Sequence, residues 1–444
     1  MGEAGRQMHL GVFVLGTGNH IAGWRTEGAF TTHMELPVMQ EIARIAERGK
    51  FDLVFISDSM VMEPTDHPSF LCRFEPTTLI TALSAVTAHV GLGATVSTSF
   101  NEPFNVARIF GSIDHISGGR AAWNVVTTSN TRAAQNYGLE EHLDHELRYA
   151  RANEFVDVVR GLWDCWDDGA IVADKATGRF VDASKVRPLN HKGRFFQVSG
   201  PVNMARCPQG HPVIIQAGGS PSGLELAART ADVVFSVVQE LAPAKQAYAD
   251  LKGRMAKYGR APEAIAVLPG VMPIVGASDA EAREQLAKLQ SWITPTNAAT
   301  LVASRIGYDV SGHPLDGPVP APPAFQGSRT FTSVLYDMAK RENMTLRDLY
   351  NLTAAARGHW VVCGTPERIA DTFEQWFVEH AADGFNILPA HFPGAFADFV
   401  DLVVPELQRR GLFRRDYQGR TLRDHFGLPR VPAPTVPKEA AGAS

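Results

Sequence analysis

Cysteine is scarce in this sequence. Four residues in 444 (Cys72, Cys165, Cys207 and Cys363) stand far apart with no CxxC spacing. That argues against a zinc site or a disulfide framework and fits a reducing compartment. Long apolar runs are missing too: none approaches the roughly 18–20 residues that a membrane-crossing helix needs, and the first nine residues lack the apolar core of a signal peptide. There is no basic excess, since 42 Lys and Arg face 47 Asp and Glu for a formal net charge of -5, so nothing marks a nucleic-acid partner. Several catalytic signatures are also absent. No GxSxG elbow and no Walker A loop occurs, and Gly16-Thr-Gly18-Asn-His-Ile21 lacks the third glycine of a dinucleotide fingerprint. The acidic, His-containing run Glu140–Glu146 invites a metal, yet His145-Glu-Leu-Arg-Tyr149 is not HExxH, because tyrosine stands last. These exclusions leave an enzyme-sized chain, expected to be cytoplasmic, with no nicotinamide-binding domain of its own.

What is present is an alternation. Short runs rich in Val, Ile and Phe predict strands at His9–Leu15, Asp52–Ser57, Val90–Ser97, Ala121–Thr127, Pro212–Ala217, Asp232–Val237, Ala266–Val275 and Gly384–Leu388. Between them, helical periods predict helices at Glu35–Gly49, Thr77–Thr87, Val106–Ile116, Asp144–Trp166, Gly223–Thr230, Glu240–Tyr258 and Ala280–Trp292. Strands apolar on both faces and separated by helices indicate βα units and a parallel sheet. Eight units predict an α/β fold of the (β/α)8 TIM-barrel type, with a doubly wound open sheet as the competing arrangement. Residues 1–429 are expected to form one domain with insertions near 169–211 and 293–358. The first insertion carries hairpin-like runs. The second pairs a Pro-rich stretch with helical patterns at Ser333–Glu342 and Leu346–Ala356, as expected of a lid or an oligomer contact. The Pro/Ala-rich residues 430–444 are expected to be disordered.

Parallel barrels bind ligands at the C-terminal ends of their strands, and here four of those ends are polar. Asp58 follows the second predicted strand, the third turns hydroxyl-rich at Thr95, Ser97 and Ser99, Asn124 and Thr127-Thr128 end the fourth, and Gly218-Gly-Ser-Pro-Ser-Gly223 follows the fifth. Such ends suit a large, polar-edged organic cofactor that supplies the chemistry itself. The Gly219-Ser220 turn opens a helix, so its N–H groups suit a phosphate. His145 and Tyr149 lie four apart, on one helical face near the same rim.

These motifs together resemble a known family. Phe74-Glu-Pro-Thr-Thr78, Gly91–Phe104, Ile113–Arg120, Trp123-Asn-Val-Val-Thr127, His145–Tyr149, Gln216–Gly223, Gly364–Ala370 and Asp383–Ile387 occur in order. They are similar to the bacterial luciferase-like flavin monooxygenase superfamily, in its nitrilotriacetate / dibenzothiophene-sulfone monooxygenase branch, over about residues 9 to 425.

The resemblance implies an insertion-bearing, luciferase-like barrel that uses O2 and reduced FMN (FMNH2), delivered by a separate NAD(P)H:flavin reductase. Oxygenation of a small organic substrate would then run through a flavin C4a-(hydro)peroxide. Cofactor-binding positions carried over are Asp58, Thr95, Ser97, Asn124, His145, Tyr149, Gly219 and Ser220, with Ser220 nearest the phosphate. His145 and His20 are the catalytic candidates, and Trp24 and Arg25 fall on the substrate side. Phe13, Phe55, Phe100, Trp24 and Trp360 would favour an apolar or aromatic substrate if they line its pocket, though core packing competes as the role of at least half of them. No metal is implied. A homodimer or homotetramer is expected. The alternatives on the same barrel are an F420-dependent oxidoreductase and a non-catalytic flavin-binding protein.

Overall fold

A computed structural model describes residues 5–62, 68–306, 309–320 and 336–434. Nine parallel strands form the main sheet: β1 (His9–Val14), β2 (Leu53–Ile56), β3 (Gly91–Ser97), β4 (Ala121–Val126), β5 (Val213–Gln216), β6 (Val233–Ser236), β7 (Ala266–Val275), β8 (Trp360–Gly364) and β9 (Gly384–Ile387). Their order is β6-β5-β4-β3-β2-β1-β9-β7-β8, and a β6–β7 pairing closes the circle. The result is an eight-stranded parallel barrel, with β8 appended to the far half of β7 (Val271 beside Trp360, Val275 beside Gly364). The predicted closed barrel is the observed one, and all eight predicted strands are in it.

Helices alternate with the strands: α1 (Leu36–Arg48), α2 (Pro76–Ser84), α3 (Pro103–Ser117), α4 (His145–Trp163), α5 (Pro221–Thr230), α6 (Leu241–Arg254), α7 (Asp279–Ser291), α8 (Pro295–Ile306), α9 (Leu346–Ala356) and α10 (Pro366–Val378). Their starts are written locally. Proline stands in the first turn of α1, α2, α3, α5 and α10, where its missing N–H costs nothing. Side chains of Glu75, Ser220 and Thr365 accept the first N–H groups of α2, α5 and α10. None of these helices is long and apolar enough to cross a membrane, nor is any other among the described residues.

The barrel is filled by side chains. Phe13, Phe55 and Phe235 meet inside it with ring centroids 5.4, 5.5 and 5.9 Å apart, and burial of each ring contributes about 1.5–3 kcal/mol. Glycine at 93 leaves room for them, since a Cβ there would sit 3.1 Å from Ile215 and 3.2 Å from Leu53. At the N-terminal ends of the strands the C-terminal segment forms a plug. Leu422, Phe426 and Leu428 join the interior cluster, and Arg423 pairs with Asp232 at 2.8 Å while Arg414 pairs with the fully buried Asp52. With that end closed, the polar strand ends read from the sequence lie at the opposite, C-terminal end of the barrel.

The excursion predicted at 169–211 contains two antiparallel hairpins, Ile171–Asp174 with Arg179–Val181 and His191–Lys192 with Gln197–Val198. The second insertion packs α8 and α9 with Ile21 and Ala22 in one apolar cluster. The Ile21 N–H donates to the Ala354 carbonyl at 3.1 Å, so the insertion rests on the loop that carries His20. The middle of the expected lid, residues 321–335, lies outside the described residues. The first residues of the tail expected to be disordered are held in place: Arg430 pairs with Asp168, and Arg206 donates to the carbonyls of Val431 and Pro432. Residues 435–444 lie outside the described residues.

Candidate active site

Because strand side chains alternate, Gly93, Thr95 and Ser97 share the inner face of β3, and register sets Thr95 beside Asn124 on β4. The two are joined. Asn124 Nδ2 donates to Thr95 Oγ1 at 2.9 Å, and Thr95 Oγ1 donates to the Ile56 carbonyl at 2.9 Å. Asn124 Oδ1 is left buried without a partner, as is Ser57 Oγ one residue beyond β2. Ser97 Oγ receives the Thr128 hydroxyl at 2.7 Å and the Ser99 N–H at 3.1 Å. Thr128 holds a left-handed φ of 47° to make that contact, a strained backbone of the kind found at functional loops. Asp58 accepts the Ser59 N–H at 2.8 Å. Burial raises its carboxyl above the ordinary value, while that N–H and Arg73 pull it back.

A second group of the predicted residues gathers where α4 and α5 begin. His145 is the first residue of α4 and Tyr149 lies one turn on, their rings 4.9 Å apart. A Cβ on Gly218 would sit 2.9 Å from Tyr149 Oη and 3.0 Å from Gln216 Oε1, while one on Gly219 would meet nothing within 4 Å. Ser220 caps α5 by accepting the Gly223 N–H at 3.1 Å, which leaves its own O–H free to donate. The arrangement is a glycine-lined recess edged by Tyr149, Ser220 and the first N–H groups of a helix, and such a recess favours an anion.

His20 sits in the loop after β1, 2% exposed. Burial first, and neighbouring His391 second, push its pKa down to about 3. The Ala22 N–H donates to its Nδ1 at 3.1 Å, so the neutral ring carries its proton on Nε2. That atom is buried without a partner. Trp24 and Arg25 form the short turn that follows. Arg25 donates to the Trp292 carbonyl at 2.8 Å and lies over that indole, so it ties the β1 loop to the C-terminal end of α7, just ahead of the second insertion.

The structure thus brings together Thr95, Ser97 and Asn124, and separately His145, Tyr149, Gly219 and Ser220. His20 and Asp58 lie in the loops that follow the neighbouring strands β1 and β2. Of the aromatic candidates, Phe13 and Phe55 fill the barrel core, and Trp360 stacks on Trp376 at 4.2 Å among helix-layer side chains. Phe100 belongs to the rim, stacked on Tyr137 at 4.5 Å and on His142 at 5.0 Å, and Trp24 lies in the turn after His20.

The family profile described as luciferase-like monooxygenase matches residues 8–384. This chain belongs to the luciferase-like monooxygenases. Within that family it is 47% identical to the N-acetyl-S-(2-succino)cysteine monooxygenase of Bacillus subtilis (strain 168), over 95% of this chain and 97% of that protein. It is 46% identical to nitrilotriacetate monooxygenase component A of Aminobacter aminovorans, covering 96% and 98%. The solved structure of EDTA monooxygenase from Chelativorans sp. BNC1 superposes with a TM-score of 0.83 at 32% identity, covering 97% of this chain and all (100%) of that one.

Luciferase-like monooxygenases use flavin, and the polar set found here fits one. A flavin ring presents N–H and C=O groups along one edge and carries a phosphate on a flexible tail. The buried acceptor Asn124 Oδ1, the unpartnered Ser57 Oγ and the Nε2–H of His20 offer both senses of hydrogen bond, and the glycine recess suits the tail. Thr128 and Ser222 belong to the polar strand ends read above, whereas Ser57 and Glu146 are additions that the strand ends did not single out. Ser57 was legible as the last polar residue of a strand. Glu146 was hidden, because its partner Ser222 is 76 residues away.

Proposed function

We propose that this chain is the oxygenating component of a two-component, cytoplasmic system. It takes reduced FMN from a separate NAD(P)H:flavin reductase and uses O2 to place one oxygen atom on a small organic substrate, working as a homodimer or homotetramer. The observation that carries the reading is the row of unsatisfied buried polar atoms, Ser57 Oγ, Asn124 Oδ1 and His20 Nε2, at the C-terminal end of a barrel with no nicotinamide motif. Buried polar atoms are costly unless something completes them. Support for a partner comes from the Aminobacter relative, whose name makes it one component of its enzyme. It comes too from two relatives in Streptomyces pristinaespiralis, named as different subunits of one pristinamycin IIA synthase.

When bound, the flavin supplies the electrons and the reactivity toward dioxygen. The chain's own residues do the rest. Thr95 and Ile56 fix the Asn124 amide, so that Oδ1 is held as an acceptor for the ring edge. Tyr149, Ser220 and the first turn of α5 hold the phosphate. His20 stays neutral at physiological pH and keeps a proton on Nε2, a donor that water does not compete for. His145 provides a second ring at the rim, bonded through Nδ1 to Glu146. The insertion around α8 and α9 sits beside the His20 loop, where it shields the site from water.

The test is reconstitution. Purified protein with a flavin reductase, NADH, FMN and a panel of sulfides, sulfones, amines, carboxylic acids and hydrocarbons is expected to consume O2 and form an oxygenated product. Full turnover on oxidised FMN without any reductant would overturn the two-component reading.

A further inference from the structure

Glu146 occupies the donors at the edge of the phosphate recess. Its carboxylate accepts the Nδ1–H of His145 at 3.0 Å and the hydroxyl of Ser222 at 3.1 Å. It thereby bridges the first turns of α4 and α5 beside Ser220 and the open Gly219. A bond to a carboxylate fixes the proton of a neutral His145 on Nδ1, so its Nε2 is then an acceptor and repels the oxygens of an anion. No arginine on either helix is paired with that carboxylate. Arg148 donates to the Leu143 carbonyl, Arg151 to the carbonyls of Thr98 and Asn101, and Arg160 to that of Thr230. Arg229 is held by Asn153 and Asp157. The other nearby carboxylates are occupied as well: Asp144 caps α4 through the Leu147 N–H, and Glu225 is bound by Arg254, Lys257 and Tyr258. Glu146 is therefore the one carboxylate of the two helix starts that spends its hydrogen bonds on groups a phosphate would use.

We propose that Glu146 is a latch on the flavin-phosphate subsite. It must leave His145 and Ser222 before a phosphate can take their N–H and O–H groups, and its charge keeps the phosphate loosely held. The side chain is 79% exposed, so release into solvent costs little. The inference rests on the phosphate reading given above. Loose holding suits a component that receives reduced flavin from another protein and must surrender the oxidised form again.

The experiment is a fluorescence titration of the full chain with oxidised FMN and with riboflavin, for wild type, Glu146→Gln and Glu146→Ala. Glutamine keeps an acceptor for Ser222 and removes only the charge. Both variants are expected to bind FMN about threefold to fivefold more tightly, the upper part of an exposed charge effect near a helix start. Riboflavin has the same ring and no phosphate, so its affinity is expected to stay within about twofold, and the FMN gain is expected to shrink in roughly 1 M salt. Unchanged or weaker FMN binding in both variants overturns the latch, and so does a gain that riboflavin shares. A wild type that binds FMN no better than riboflavin refutes the phosphate subsite itself. That result is separate, and it removes the latch as well.

Discussion

Asn124 gives its amide N–H to Thr95 Oγ1 at 2.9 Å and keeps its carbonyl oxygen, buried, for no group of the protein. A buried acceptor without a donor costs about 1–3 kcal/mol, a cost that the proposed flavin contact would offset. Asn124→Leu, close in volume, is therefore expected to leave the melting temperature unchanged or raised while flavin affinity falls at least about tenfold, the loss of one hydrogen bond to a desolvated group. Differential scanning fluorimetry and flavin titration on the same preparation read both. A large drop in melting temperature with flavin binding retained would assign Asn124 to the fold.

Acid should loosen the molecule through three buried histidines. His20 is pushed to about 3, and His391 and His425 to about 4, in each case chiefly by burial. Unfolded, each titrates near 6.5. Above that pH all three are neutral in both states, and their contribution to stability is complete. As pH falls from 6.5 toward 4 the unfolded chain takes up protons that the folded chain refuses, so stability drops by at most about 1.4 kcal/mol per pH unit for each ring. Below 4 the losses from His391 and His425 level off. His425 allows a clean check, because both its ring nitrogens are buried without partners and it packs 4.9 Å from Tyr417. Urea midpoints at pH 7, 6 and 5 are expected to fall, and His425→Phe to flatten that fall without loss at pH 7. An identical slope in the variant would show that His425 is charged in the fold.

The barrel was legible because its strands are apolar on both faces, and inter-strand contacts only needed that pattern to recur eight times. β8 was missed for a local reason: Trp360–Gly364 pairs along one edge only, with the far half of β7, and is partly exposed. The C-terminal segment misled differently. Its Pro/Ala composition reads as disorder, yet Arg206 and Asp168, more than two hundred residues earlier, hold its start. The strand-end polar residues were readable as a class. Which of them remain unpaired was not, since Asn124 Oδ1 is orphaned only because Thr95 takes the other end of the amide. Aromatic residues were the least informative, because Phe13 and Phe55 alternate inward on their strands and fill the barrel below the site.

Gly270 gives a test of how the barrel mouth is packed. The His359 ring lies nearly parallel to Phe235, centroids 4.9 Å apart and planes 8° apart. A Cβ at Gly270 would sit 2.4 Å from His359 Nδ1 and 2.6 Å from Phe235 Cε2. Both neighbours are stacked rings with no free end to give way. Gly270→Ala is therefore expected to destabilise by about 1–3 kcal/mol, the usual cost of overpacking, and chemical denaturation reads it directly. Gly219→Ala is the control, since a Cβ there meets nothing, and it is expected to match wild type in stability.

Tyr149 and Ser220 separate what holds the helix start from what holds the cofactor. Ser220 does both jobs in the proposed site: its Oγ accepts the Gly223 N–H as the cap of α5, and its O–H faces the anion recess. Ser220→Ala is expected to cost about 0.5–2 kcal/mol of stability through the lost cap and to weaken FMN as well. Ser220→Asp restores the cap, because a carboxylate also accepts from the first turn, but places a negative charge at the phosphate. Stability is expected to return while FMN binding falls further. Tyr149→Phe removes only the hydroxyl beside Gly218 and is expected to leave the melting temperature unchanged while FMN affinity drops and riboflavin affinity holds. Denaturation curves with paired FMN and riboflavin titrations decide the matter. Equal losses for the two flavins would move Tyr149 from the phosphate to the ring, and recovery of FMN binding in Ser220→Asp would show that the recess does not select for an anion.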